Sequence, residues 1–474
     1  MLSRNLPGKT ISHHHLRTCH ATRTTPWNMA QKNTNTLTLP SIDAASQQRL
    51  VAPLPAHAHS ALPPYAASTE AAIRASLHSS AHFSDQKTFH FGQFSLNPYP
   101  ARQVAPALDF ASRDKLTERL SAILLSEKFI YIGFGPAKAM KIAGVTVEPL
   151  RFVAGKRLTA RCTLRLQNKN TAALQSVNII AKLFSDERKA DQIYCHLTAL
   201  ARIFPPQQAG ESSSQYRFAV HIPKPIALFR QIHAVLMDEM AGSSLKAQLS
   251  DLEVSSSMYA AGAVLANFHM AKMRVERQIS ECGEMARLHG RSVLIQAAIA
   301  ESCPDVSAFL RTFDRVKPVK CAFPVLLHGS YKLSHIFQNE QNLALLDLDS
   351  MAMGHPAYDI ANFLASLYSL GARSRVTEAM RQQIFHNFLS GYSEHALQQI
   401  SAREVLWYLA VLLVTKKACK LIARTGGSSA ERAHTFFALA QQTLDRCVTL
   451  QDGVALEALP ACLPVISELG SPYT

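Results

Sequence analysis

No CxxC pair occurs among the nine cysteines, which stand at irregular positions 19, 162, 195, 282, 303, 321, 419, 447 and 462. An odd count without motif spacing excludes a disulfide framework and a cysteine-based zinc site, and it fits a reducing cytoplasm. Long apolar runs are missing as well. The longest, "VLWYLAVLLV" from Val405 to Val414, has ten residues. A bilayer span needs about 20, so this run predicts a buried helix in a soluble protein with no membrane partner. There is no internal repeat, and no DNA- or RNA-binding motif to make nucleic acid an expected partner. Acid is scarce at the start: Asp43 is the first carboxylate in the chain.

Core-forming material is plentiful. Of 474 residues 47% are hydrophobic and 18% charged, a globular composition whose length corresponds to about three domains. The net charge of +15, from 49 basic and 34 acidic residues, suits an ordinary basic enzyme because the Lys and Arg are scattered; the alternative is an anionic partner. The Arg-rich, Ser/Thr-rich opening has a transit-peptide composition, but Pro7 and Pro26 interrupt any helix and Met29 offers another start. "HHHLRTCH" there carries imidazoles and a thiol suited to adventitious metal capture. Residues 1–100 read as a mostly disordered basic, Ala/Ser/Pro/His-rich tail.

Periodicity then separates two kinds of structure. "RDKLTERLSAILLSEKF" spaces Leu116, Leu120, Ile123 and Leu124 as a helix. "GKRLTARCTLRL" alternates strictly, with Leu158, Ala160, Cys162, Leu164 and Leu166 on one face. Arg157, Thr159, Arg161, Thr163 and Arg165 take the other, where Arg161 and Arg165 read as solvent-facing. This is a half-buried antiparallel strand. "VNIIAKLF" is a second strand ending near Lys182, and Ile193, Leu197, Leu200 and Phe204 mark a helix stopped by Pro205 and Pro206. After the strand and Gly/Ser turn of "AVLMDEMAGSSL" the pattern is mostly helical. The expected class is α+β in two lobes, with the ligand cleft between them. Boundaries follow at 101–236 for the sheet lobe, 237–450 for the helical lobe and 451–474 for a C-terminal tail. Within the helical part, "VLLHGSYKLSHIFQNEQNLALLDLDS" reads as strand, loop, strand, turn, strand. That hairpin brings Ser330, His335 and Asp347 together.

The order of these pieces resembles the aminoglycoside phosphotransferase and choline kinase-like family, over about Val145 to Val448 and most specifically over the 38 residues from His328 to Ala365. The resemblance implies a protein-kinase-like fold with a small antiparallel-sheet N-lobe and a larger helical C-lobe. It implies ATP and Mg²⁺ as cofactors, with Mn²⁺ as the alternative ion, and a small-molecule hydroxyl as acceptor. By the same comparison Lys182 falls on the nucleotide-phosphate lysine, with Asp191 or Glu187 as its orienting acid. Gly155 falls in the turn that approaches phosphate, and Asp238 and Met240 in the adenine hinge. Asp347 takes the metal position, Asp359 the structural aspartate of "PAYD", and His328 holds the loop. Such residues recur because phosphoryl transfer is catalysed mainly by positioning and charge neutralisation.

Three positions depart from the family pattern. Ser330 replaces the aspartate that accepts the substrate proton; losing a general base costs about 10² to 10⁴ in rate. His335 replaces an Asn or Gln metal ligand, and imidazole suits Zn²⁺ or Mn²⁺ better than Mg²⁺. His355 stands where an acid is common. Asp349 is a candidate second metal ligand or substitute base, and Lys332 a candidate charge-neutralising group. The expected function is an ATP-dependent phosphotransferase with weakened or altered catalysis. The alternative is a silent pseudokinase that binds nucleotide or metabolite and acts through protein partners.

Overall fold

The computed structural model describes residues 140–153, 157–205, 218–249, 254–299, 306–318, 321–339, 342–370, 376–425 and 430–465, together with the short antiparallel strands β1 (Phe89–Phe91) and β2 (Phe94–Leu96). The rest of the 1–100 tail, the "HHHLRTCH" cluster, the helix expected around Leu116–Leu124, and Gly155 lie outside the described residues.

Five strands form one sheet. β3 (Met140–Val153), β4 (Arg157–Asn168), β5 (Leu174–Phe184), β6 (Pro225–Phe229) and β7 (Ala234–Asp238) lie in the order β3-β4-β5-β7-β6, every neighbour antiparallel. The alternation in β4 works as its pattern predicts: Ala160, Cys162, Leu164 and Leu166 are fully buried, while the arginines face the other way. Register decides what those arginines can reach. Thr159 pairs with Lys182 across β4 and β5, and side chains at paired positions share a face. Arg157, Arg161 and Lys182 therefore point to the same side of the sheet. Between β5 and β6, α1 (Glu187–Ile203) starts at Asp186, whose side chain accepts from Arg188 N at 3.0 Å, and buries Ala190, Ile193, Leu197 and Leu200.

The link after β7 leads into the helical lobe. β8 (Ser243–Ser244) pairs with the hairpin β11 (Ile336–Asn339) and β12 (Asn342–Leu345). The short helix α2 (Leu245–Gln248) and the long α3 (Val254–His269) follow. β9 (Gln278–Ile279), β10 (Val325–Leu327) and β13 (Ala352–Gly354) form a second small sheet. The helices α4 (Glu281–His289), α5 (Ser292–Ile299), α6 (Val306–Arg315), α7 (Ala357–Tyr368), α8 (Glu378–Ser393), α9 (Ala402–Leu412), α10 (Cys419–Thr425), α11 (Ala430–Thr449) and α12 (Leu459–Cys462) complete the lobe. Val405 to Val414 is fully buried, so the ten-residue apolar run is core. Among the described residues no helix is long and apolar enough to cross a membrane.

The helical pattern from Arg403 to Ala423 is one run in the sequence, but the backbone is not one α-helix. Residues Leu413–Ala418 form a π-helical turn between α9 and α10, a widening that inserts a residue and re-aims those after it. It falls on "LVTKKA" and sets Lys416 and Lys417 against the lobe's loops.

Candidate active site

The loop after β10 is fixed from below. Asp359, read as a cap or orienting acceptor before a helix, lies in the first turn of α7, which starts at Ala357. Its carboxylate accepts from His328 N at 2.6 Å and Gly329 N at 2.9 Å, with His269 Nε2 at 3.3 Å. It is an orienting acceptor, not a cap. Gly329 has φ +75°, and a Cβ there would meet Ser350 O at 2.1 Å, so the turn requires glycine. His328 is fully buried and its Nε2–H donates to Leu346 O at 3.0 Å, tying the loop to the residue before Asp347. Burial holds its imidazole below the usual range, hence neutral.

Asp347 sits at the end of β12 with φ +60°, a left-handed conformation that aspartate tolerates better than most residues. That turn aims its carboxylate at the sheet. Lys182 Nζ reaches Asp347 Oδ1 at 3.2 Å and Asp349 Oδ1 at 2.8 Å. Arg157 forks onto the same carboxylate, Nη1 to Oδ1 at 2.7 Å and Nη2 to Oδ2 at 3.0 Å, and its Nη1 also donates to Asp349. Burial alone would raise the Asp347 carboxyl; Lys182, Arg157 and His335 outweigh it and hold the group well below the carboxylate range. Lys182 is 165 residues from Asp347 along the chain, so the whole fold is needed to assemble this cluster.

The two expected orienting acids are not in it. Asp191 pairs with Arg230 at 3.1 Å, and Glu187 is exposed at the start of α1. Lys182 takes its carboxylates from Asp347 and Asp349 instead. Arg157 belongs to the site although it reads from sequence as one more arginine on a polar strand face. Arg161 is not merely solvent-facing either: Nε donates to Glu239 in the link at 2.7 Å and Nη1 to Glu148 at 2.7 Å.

His335 stands between the loop and the cluster. Nε2 is 3.3 Å from Asp347 Oδ2 and Nδ1 is 3.4 Å from Ser330 Oγ. Burial lowers its pKa to about 2, with His328 adding to the effect. The ring is therefore neutral at physiological pH. Asp347 accepts only from a protonated Nε2, so Nδ1 is left to accept from the Ser330 hydroxyl. Lys332 lies half-buried in the loop with Asp347 as its nearest acid. In the link, Asp238 turns its carboxylate onto Lys224 N, while Met240 is half-buried. His355, unexplained by the sequence, is structural: Nδ1 accepts from Ala357 N at 3.2 Å and Nε2–H donates to Glu404 at 3.0 Å, so it caps α7.

Comparison with known proteins finds one family model that matches part of the chain. Residues 187–397 match the model of the phosphotransferase enzyme family, APH. Over those residues, less than half of the chain, it is similar to that family. The match takes in α1 and much of the helical lobe and leaves out strands β3 to β5. Similar solved structures include an aminoglycoside phosphotransferase, APH(4)-Ia, in complex with AMP-PNP and hygromycin B, at 14% identity over 69% of this chain and 99% of that one, TM-score 0.42. Choline kinase from Cryptosporidium parvum Iowa II is 14% identical over 70% of this chain and 96% of that one, TM-score 0.44. Macrolide 2'-phosphotransferase MphH from Brachybacterium faecium is 14% identical over 67% and 98%, TM-score 0.38. No curated protein matches the chain.

Proposed function

We propose that this chain uses ATP to phosphorylate a hydroxyl of a small molecule, with an altered catalytic group. The observation that carries the reading is the convergence of Lys182, Asp347 and Asp349 beside the Ser330 loop. Lys182 supplies a point charge for nucleotide phosphates, Met240 and the link pack against the base, and the two carboxylates supply hard oxygens. Among the described residues no three His, Cys, Asp or Glu side chains form a metal cage. Two carboxylates with phosphates and water to complete the shell are nevertheless what Mg²⁺ commonly takes, so the donor set fits that ion with nucleotide. When bound, the ion neutralises charge on the phosphates. Ser330 faces the acceptor and its hydroxyl donates a hydrogen bond to His335 Nδ1, leaving its oxygen to accept from the substrate hydroxyl. With a conjugate acid near 2, His335 orients Ser330 and is a poor base. Catalysis then rests on positioning and is slower than with a carboxylate at Ser330.

A second reading has its own observation. The Arg157 fork occupies both oxygens of Asp347, as it would in a pseudokinase that binds nucleotide without metal and acts through a protein partner. Calorimetric titration of ATP into the full chain, with Mg²⁺, with Mn²⁺ and with neither, separates the two. Metal-dependent binding that disappears in Asp347→Ala is expected. Metal-independent binding retained in Asp347→Ala would favour the pseudokinase, and absence of binding under every condition would defeat both.

A further inference from the structure

We propose that the acceptor substrate carries an anionic group, a phosphate or a carboxylate, held by a lysine cluster beside the Ser330 loop; this rests on the phosphotransferase reading. The π-helical turn presents Lys416 and Lys417 in succession, and Lys420 follows on α10. Lys416 is committed to the fold: Nζ donates to Gly329 O at 3.2 Å and Asn362 Oδ1 at 2.9 Å and lies 4.8 Å above the Tyr358 ring. That contact places the turn directly against the loop.

Lys417 is different. Its side chain is half-buried, and the charges that act on it most strongly are Lys332, Lys416, Lys420 and Lys246. All four are lysines. Lys246 comes from α2, which packs against the turn Leu333–His335. Lys332 comes from the loop itself, with Arg151 of β3, Lys420 and Lys416 around it and Asp347 as its acid. Neither the Lys332 nor the Lys417 side chain forms a hydrogen bond or ion pair among the described residues. Burial and mutual repulsion lower Lys332 to about 8 and Lys417 to about 7.

Elsewhere this chain gives its buried cations partners, as for Lys182, Lys416 and Arg157. Lys332 and Lys417 are half-buried ammonium groups whose own side chains have no hydrogen-bond or ion-pair partner among the described residues; that is unfavourable in the free protein, and an anionic ligand removes the penalty. The cluster adjoins Ser330 through Lys332, so a molecule anchored there by its anionic end presents a hydroxyl to the loop. The same charges repel a polycationic acceptor.

The test is calorimetric binding of inorganic phosphate to the full chain and to Lys417→Met, Lys420→Gln and Lys182→Met. Phosphate is expected to bind wild type and Lys182→Met alike, at least tenfold more weakly to Lys417→Met and severalfold more weakly to Lys420→Gln. Lys420 is exposed, so its variant keeps the fold whatever Lys417→Met does. No binding to wild type, or undiminished binding to both lysine variants, overturns the proposal. Loss in Lys182→Met alone places phosphate at the nucleotide position and overturns it too. Titration of AMP-PNP into the same proteins keeps the two readings apart. Lysine-dependent phosphate binding in a chain that takes no nucleotide would sustain the anion site and remove the kinase.

Discussion

Asp238 shows how one side chain in the hinge trades charge against burial. Burial raises its carboxyl to about 6, against the lowering effect of the Lys224 N–H it accepts from. Because the folded value lies above the unfolded one, this group favours the fold most below about pH 4 and loses that contribution as pH rises through 6. Above pH 6 the ionised form costs roughly 2–3 kcal/mol. Asp238→Asn keeps an acceptor for Lys224 N and carries no charge. It should raise unfolding free energy by about 1–3 kcal/mol at pH 7.5 and change it little at pH 4, as read by urea denaturation at both values. Equal effects at both would contradict the burial argument. Single residues were legible only where a motif named them. The segments "IIAKLF", "HGS" and "LLDLD" single out Lys182, His328 and Asp347, and the structure brings Lys182 and Asp347 within 3.2 Å of each other. Arg157 did not stand out because a strand's outward face looks alike whether it meets water or a cleft. The acid facing Lys182 was sought on α1, one element away, whereas it comes from the far lobe.

Elements built from repeating patterns were the easiest to anticipate. The fully buried Ala160, Cys162, Leu164 and Leu166 follow from alternation alone. The π turn at Leu413–Ala418 has no such signal. Apolar residues continue through it, and one extra residue per turn changes the direction of Lys416 without changing composition. The loop on α7 is the element on which the site depends. Two backbone N–H groups and a buried imidazole converge on the Asp359 carboxylate, which is itself fully buried. Asp359→Ala leaves those donors without an acceptor, at about 1–3 kcal/mol for each unsatisfied group. The variant should lose roughly 2–5 kcal/mol of stability in equilibrium unfolding and should bind ATP weakly even where it remains folded. A loss below about 0.5 kcal/mol would mean that the loop is held by other contacts, such as Lys416 on Gly329 O.

At the scale of the whole molecule, the charges at the cleft join its two lobes. Arg157 and Lys182 come from the sheet, while Asp347 and Asp349 follow the hairpin of the helical lobe. All four side chains are less than one-fifth exposed, so salt screens them less than it screens surface pairs. On the proposed reading, a metal-nucleotide complex would have to take Asp347 from the Arg157 fork before it could use those oxygens. Part of its binding energy is spent on opening that contact, which lowers apparent affinity by the population of the open form. Arg157→Gln removes the competitor and leaves Lys182 in place for phosphate. Mg²⁺-ATP should therefore bind about 5- to 30-fold more tightly to the variant, a gain of roughly 1–2 kcal/mol. Hydrogen exchange in the link 239–242 should quicken in the free variant, because one of the contacts that close the lobes has gone. Weaker nucleotide binding would assign Arg157 the opposite part. Its guanidinium would then swing from Asp347 to the phosphates, a bidentate ligand for the nucleotide and not a lock against it.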